Sequence, residues 1–240
     1  MISIIIPTLN EEKLLPEMLG QFTPEIIAKY AIEIVVSDGG STDDTLRIAR
    51  GHAARVVENS EGVKQTISLG RNTGAREARG ETFVFLNADT RIRDCDRFFR
   101  RMLEEIARPG IVAVTCSVEV YPEEAGWIDR WYHGFYNWLF ALMNEVGMGM
   151  GRGECHVVPR DVFQRVGGYA DKIAAGEDYD LFRRIDALGR ITFLKDVMVY
   201  ESPRRYRKYG YAWVTASWFL NFLSVFFLRR SVLSEWKPVR

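Results

Sequence analysis

The sequence predicts an α/β domain, a mostly parallel sheet flanked by helices, followed by an apolar helical appendage at the C-terminus. Three observations carry this expectation. The first 120 residues alternate short β-branched or aromatic runs with longer mixed segments, the pattern of buried parallel strands joined by right-handed helical crossovers. Polar residues able to do chemistry stand directly after those runs, where open α/β sheets bind ligands. From Arg204 onward the chain turns basic, then apolar, then basic again.

In chain order, strands are expected over residues 2–6, 32–37, 55–57, 82–86 and 111–118, each short and rich in Ile, Val or Phe. Helices are expected over 11–29, 42–51, 62–79 and 94–107. In the first of these, Leu14, Leu15, Met18, Leu19 and Phe22 repeat at the spacing of one helical face. Beyond residue 120 the pattern loosens. Residues 127–150 are rich in aromatics and Met, and Gly147, Gly149, Gly151 and Gly153 read as a flexible loop. A last helix is expected over 178–188, with Leu181, Phe182, Ile185 and Leu188 on its apolar face.

Composition narrows the class. The 240 residues are 47% apolar and 27% charged, which suits a folded domain and excludes a disordered chain. Net charge is zero, yet residues 204–240 carry +7 and residues 1–203 carry −7. A basic tail beside an apolar stretch fits an anionic partner such as phospholipid or diphosphate. Nucleic acid is not expected, because the bases form two short clusters rather than a face. Cys95, Cys116 and Cys155 have no metal-ligand spacing, and the N-terminus enters a strand-like run without a signal-peptide pattern. Both point to a reducing, cytoplasmic setting.

Six segments carry candidate chemistry. Pro7-Thr8-Leu9-Asn10-Glu11-Glu12 follows the first strand, where proline ends the ladder and Glu11 and Glu12 favour a helix N-terminus. Asp38-Gly39-Gly40-Ser41-Thr42-Asp43-Asp44 follows the second. Ser41 or Thr42 can cap the next helix, but capping leaves Asp38 unexplained, at a strand end suited to reading a base or ribose. Arg71, in Gly70-Arg71-Asn72-Thr73-Gly74, reads by itself as solvated. Asn87-Ala88-Asp89 ends a fully apolar strand, and alternation would put Asn87 and Asp89 on one side as hard oxygen ligands for Mn2+ or Mg2+. Glu177-Asp178-Tyr179-Asp180 opens a helix, with Asp178 either its N-cap or a general base. Ser202-Pro203-Arg204-Arg205-Tyr206-Arg207-Lys208 supplies cations able to hold a departing diphosphate or to flank a membrane segment.

The order of these segments resembles that of family 2 inverting glycosyltransferases with a GT-A, Rossmann-like fold, over roughly residues 1–205. Residues 2–10 look like the nucleotide-binding first strand and turn. Asp38 matches the base-reading position, Gly39 to Asp43 the D-G-S-x-D turn, and Arg71-Asn72 the R-N-x-G step. Asn87-Ala88-Asp89 falls on the D-x-D site, Val166-Gly167-Gly168-Tyr169 on the G-G-F/Y landmark, and Glu177-Asp178 on the E-D pair whose aspartate is taken as base. Asn87 replaces the first aspartate of D-x-D, so metal is expected mainly on Asp89 and the diphosphate. Leu9 stands where many members carry a tyrosine, and the processive Q-x-x-R-W sequence is absent, which favours single sugar transfer.

The resemblance implies a UDP- or GDP-type nucleotide-sugar donor contacted by Pro7, Thr8, Asn10, Glu12, Asp38, Arg71, Asn87, Ala88, Arg204 and Arg205. It also implies Glu177 on the acceptor side, Asp178 as catalytic base and metal on Asp89. The acceptor stays unnamed, with a lipid and a homodimer both compatible. Residues 1–203 are expected to form the catalytic domain, 1–120 holding the donor and 121–203 the acceptor, and 204–240 the basic, apolar attachment. Tyr211–Leu228 has no charge, ends at Arg229 and Arg230, and carries Ser217, Asn221 and Ser224 on one face. With Trp213, Trp218 and Trp236, it fits a peripheral membrane helix, or one that packs against protein, better than a span. A sugar nucleotidyltransferase would open with a Gly-rich G-x-G-x-R segment, which is absent here. A non-catalytic nucleotide-binding or membrane scaffold would bind nucleotide without turnover.

Overall fold

β-Branched residues fill the first strand, and nearly every position of it is buried, which puts it at the centre of a sheet. A computed structural model describes residues 1–52, 55–58, 66–173, 175–228, 230–232 and 239. The strands are β1 (Ile2–Thr8), β2 (Ile32–Asp38), β3 (Arg55–Glu58), β4 (Thr82–Phe85), β5 (Arg91–Ile92), β6 (Ile111–Val120), β7 (His156–Pro159) and β8 (Arg190–Glu201). The helices are α1 (Leu15–Gly20), α2 (Pro24–Tyr30), α3 (Thr45–Gly51), α4 (Ile67–Glu77), α5 (Cys95–Ile106), α6 (Trp127–Glu145), α7 (Arg160–Arg165), α8 (Glu177–Asp186), α9 (Arg204–Tyr209) and α10 (Tyr211–Leu228).

The strand order is β3-β2-β1-β4-β7-β6-β8-β5. The four strands from β3 to β4 are parallel, as the alternation of runs and helices requires. Beyond β4 the sheet is mixed: β7 is antiparallel to both β4 and β6, and β8 runs parallel to β6. Side-chain alternation along β1 divides the core. Ile2, Ile4 and Ile6 face Met18, Phe98 and Phe99, while Ile5 on the other face joins Phe83, Phe85, Phe163 and Phe182.

Several expectations change in detail. The predicted 11–29 helix is two helices, because Thr23 caps α2 at Ile26 N and Pro24 takes the first turn, where a missing N–H costs nothing. Pro7 does not end β1, which continues to Thr8 opposite Asp38. Ile5 accepts from Leu86 N on the β4 side, so Pro7 turns its donor-less nitrogen that way, past the last β4 partner, Phe85. Residues 62–65 of the third expected helix, with Arg229 and Trp236, lie outside the described residues. Leu188 lies beyond α8 and is exposed. The aromatic segment forms α6, a 19-residue helix, and the mixed segment contains the 12-residue β8.

The glycine-rich loop is close-packed rather than flexible. A Cβ on Gly149 would lie 2.6 Å from Phe182 O, and one on Gly151 would lie 2.6 Å from the Phe182 ring. Asn144 clamps the loop from both sides of Met150, donating to its O at 2.8 Å and accepting from its N at 2.7 Å.

Candidate active site

The carboxyl ends of β1, β2 and β4 open into a cleft of about 650 Å³. Pro7, Thr8, Gly39, Asn87, Ala88 and Asp89 line its sheet side. Glu154, Glu177, Asp178, Arg204, Arg205 and Trp218 close the other side from the glycine-rich loop, α8, α9 and α10. The C-terminal segment is therefore part of the cleft wall.

On the sheet side the loops are locked to each other. Asp38 is 1% exposed, and its carboxylate accepts four hydrogen bonds from its own chain: Thr8 Oγ1 at 3.0 Å, Gly40 N at 2.9 Å, Ser41 N at 2.8 Å and Ser41 Oγ at 2.6 Å. Ser41 and Thr42 do not cap α3. Ser41 serves Asp38, Thr42 N donates to Asn10 Oδ1, and Thr45 N is met by Asp43 Oδ1 instead. Asn10 N donates to Ser41 Oγ, and Glu12 Oε2 accepts from Asp44 N. Asn10 and Glu12 thus tie the two loops together, while Pro7, Thr8 and Gly39 present the surface to the cleft.

Arg71 is fully buried, which corrects its reading as a solvated side chain. Its guanidinium donates to Glu177 Oε1 at 3.1 Å, Asn87 Oδ1 at 3.0 Å and Gly153 O at 2.6 Å, and lies over the Tyr169 ring. Its sequence neighbour Asn72 fixes Tyr169 by accepting from its N and donating to its O. The R-N step is thus the internal brace that joins the Asn87 turn to α8. Asn87 and Asp89 sit in a turn closed by Thr90, so strand alternation does not set their directions, yet both line the cleft.

Gly176, in the left-handed conformation, is the N-cap of α8, so Asp178 is not. Asp178 stands in the first turn, accepts from Tyr179 N and opens onto the cleft. Burial and the adjacent Glu177 carboxylate push its proton affinity well above the ordinary aspartate range, and Arg71 offsets part of this. Glu177 is raised by burial, with Arg71 again opposing. A carboxylate of this kind is a stronger base than a solvated one.

Asp89 meets Arg204 at 3.1 Å, and burial raises its proton affinity against the pull of that arginine. Among the described residues no three His, Cys, Asp or Glu side chains are grouped to hold a metal ion. The donor set fits Mn2+ or Mg2+ only as a shared site, one protein carboxylate completed by water and diphosphate oxygens. Arg205 also lines the cleft.

Sequence reasoning missed three participants. Glu11 is buried and takes both Arg204 nitrogens. Glu154, marked only by following a glycine-rich run, faces the cleft and raises the proton affinity of Asp89, Glu177 and Asp178. Arg152 is buried, bound to Glu201 at 2.5 Å and His133 Nδ1 at 3.2 Å, and no motif announces it. Burial and Arg152 hold His133 neutral, down to about 2.

Comparison with known proteins agrees with this geometry. The family model described as Glycosyl transferase family 2 matches residues 3–167. Glycosyltransferase AglE of Haloferax volcanii is 27% identical over 203 residues, 82% of this chain and 65% of that protein, so the chain spans about two-thirds of its length. Mannosyltransferase PcManGT from Pyrobaculum calidifontis, solved with GDP-Man and Mn2+, has a TM-score of 0.74 at 23% identity, covering 93% of this chain and 63% of that one. Glucosyl-3-phosphoglycerate synthase from Mycobacterium tuberculosis, solved with Mn2+, UDP and glucosyl-3-phosphoglycerate, has a TM-score of 0.62 at 17% identity, covering 95% and 79%. Both likenesses carry the GT-A fold.

Proposed function

The chain belongs to glycosyl transferase family 2, and from that premise we propose that it moves a single sugar from a UDP- or GDP-type donor to an acceptor hydroxyl, with inversion at the anomeric carbon. The observation that carries this reading is one cleft lined by Asp89, Arg204 and Arg205 together with the basic carboxylate Asp178. Asp178 takes the proton as the hydroxyl oxygen bonds to the anomeric carbon, and the bond from that carbon to the diphosphate breaks. Arg204 and Arg205 balance the charge that builds on the departing diphosphate. Asp89 would hold Mn2+ or Mg2+ together with the donor's own oxygens, and the ion when bound would supply further charge neutralisation there.

In this reading Asp38, Asn10 and Glu12 act through the shape of the nucleotide loops, and Arg71 positions Asn87, Glu177 and Asp178. Residues 1–120 form the donor half and 121–203 the acceptor half. Residues 204–240 hold the protein at the cytoplasmic face of a membrane while lending α9 and α10 to the cleft. The aromatic end of the cleft, Phe140, Tyr179 and Trp218, supports a lipid-borne acceptor. Calorimetry with UDP-, GDP- and dTDP-sugars, with and without Mn2+, followed by a transfer assay on lipid-phosphate acceptors, tests it. Binding of none of these donors would overturn the reading.

A further inference from the structure

The outer face of α6 carries large apolar side chains that no part of the described chain covers. Trp127, Trp131, Phe135, Trp138 and Leu142 follow one another at helical spacing, and they are 78%, 70%, 44%, 58% and 40% exposed. Trp131 stacks on Phe135 with centroids 6.2 Å apart, and Phe135 meets Trp138 at 6.0 Å, so the stripe is continuous. Three polar residues of α6 turn inward instead. Asp129 is held by Arg207 and Tyr211, His133 by Arg152, and Asn144 by Met150.

Helix α10 is inverted in the same sense. Ser217, Asn221 and Ser224 are buried, and Asn221 lines the cleft, while Trp213, Phe219, Leu220 and Phe227 face outward. The two helices are joined by Tyr132 and Tyr136 against Trp218 and by the bond between Tyr132 and Thr215.

We propose that α6 is a membrane-interface helix, and that its aromatic stripe seats with the outer face of α10 in the headgroup region of an anionic phospholipid surface. Charge selects lipid over other occupants. Along α6 the exposed ionised groups are Arg130 and, at its last residue, Glu145, which pairs with Lys195 away from the basic edge, and residues 204–228 contain four bases and no acid. Arg207 and Lys208 are exposed at the end of α9, beside this face. Indole-rich apolar surface with a basic edge is the composition that partitions at bilayer interfaces. This proposal concerns where the protein sits and does not rest on the transfer reading.

Flotation of the full chain with vesicles of phosphatidylcholine, or of phosphatidylcholine with phosphatidylglycerol, tests it. The wild-type chain should float, more strongly with the anionic vesicles. Trp131→Glu/Trp138→Glu, which touches no cleft residue, should partition at least about tenfold less, with UDP- and GDP-dependent heat of binding unchanged. Brominated phospholipid should quench the tryptophan fluorescence of the wild-type chain, a readout that needs no variant. Undiminished flotation of the double variant, or absence of quenching, would overturn the proposal. So would a stable dimer in sedimentation that the double variant splits while vesicles capture nothing, because a second copy would then cover the stripe.

Discussion

Arg204 grips Glu11 with both terminal nitrogens, at 3.0 and 2.9 Å, across 193 residues of sequence. The same guanidinium reaches Asp89 at 3.1 Å. A cation from the C-terminal segment therefore stands between two carboxylates borne by the loops after β1 and β4. It neutralises them where a metal ion would otherwise have to, and it ties the C-terminal segment to the loop after β1.

Arg204→Ala should separate two roles. Without the guanidinium, Glu11 and Asp89 lose their shared cation, so Mn2+ alone should bind more tightly. Transfer should fall on the order of 10²–10³-fold, because a charge that stabilises the leaving diphosphate is gone. Manganese titration beside a transfer assay measures both. Weaker metal binding in the variant would contradict the placement of Arg204 as a competitor for Asp89.

Asp89→Ala should abolish the metal dependence of nucleotide binding, since Asp89 is the carboxylate left at the D-x-D position. Calorimetry with UDP and GDP, with and without Mn2+, decides this. An unchanged metal response would move the ion to Glu154 or Glu11.

Asp178→Asn should lower turnover by about 10²–10⁴-fold while leaving donor affinity in place. The proton affinity of Asp178 is raised in the folded protein by burial and by Glu177, so the acid limb of kcat/KM should lie above the ordinary aspartate range. The stability consequence has a definite sign. A carboxylate whose folded pKa is raised favours folding while protonated, and this contribution is lost as pH climbs from about 4 through the raised value. Asp178→Asn should therefore melt higher than the wild-type chain at neutral pH and converge with it near pH 4. Thermal melts across that range read the difference directly.

Asp38→Ala removes the acceptor of four hydrogen bonds and should destabilise the fold by about 1.5–3 kcal/mol. Nucleotide binding should weaken with its Mn2+ response preserved, because the loop loosens while Asp89 is untouched. Denaturant unfolding and calorimetry report the two effects separately.

Arg71→Met should cost about 3–5 kcal/mol, because it leaves Glu177 buried without its counter-charge. Arg71→Lys should recover only part, since an ammonium group cannot reach Glu177, Asn87 and Gly153 O together. Chemical denaturation of the two variants ranks them.

The sequence by itself determined the parallel half of the sheet and the loops that bear chemistry, because both are local. Short continuous apolar runs mark buried strands, and polar residues that close such a run must lie at its carboxyl end. Asp38, Asn87 and Asp89 were legible for that reason. Only the tertiary structure decided what those residues touch. Arg71 could not be known as a buried brace, because its partners Glu177 and Gly153 are more than 80 residues away. Glu11 and Arg204 are 193 residues apart, and their pairing exists only once α9 comes against the loop after β1. The antiparallel strand β7 went unseen because its four residues carry no alternation of their own. The outward aromatic face of α6 was hidden for a related reason. An apolar helix reads the same from sequence whether protein or lipid covers it, and only the packing of its polar residues inward tells the two faces apart.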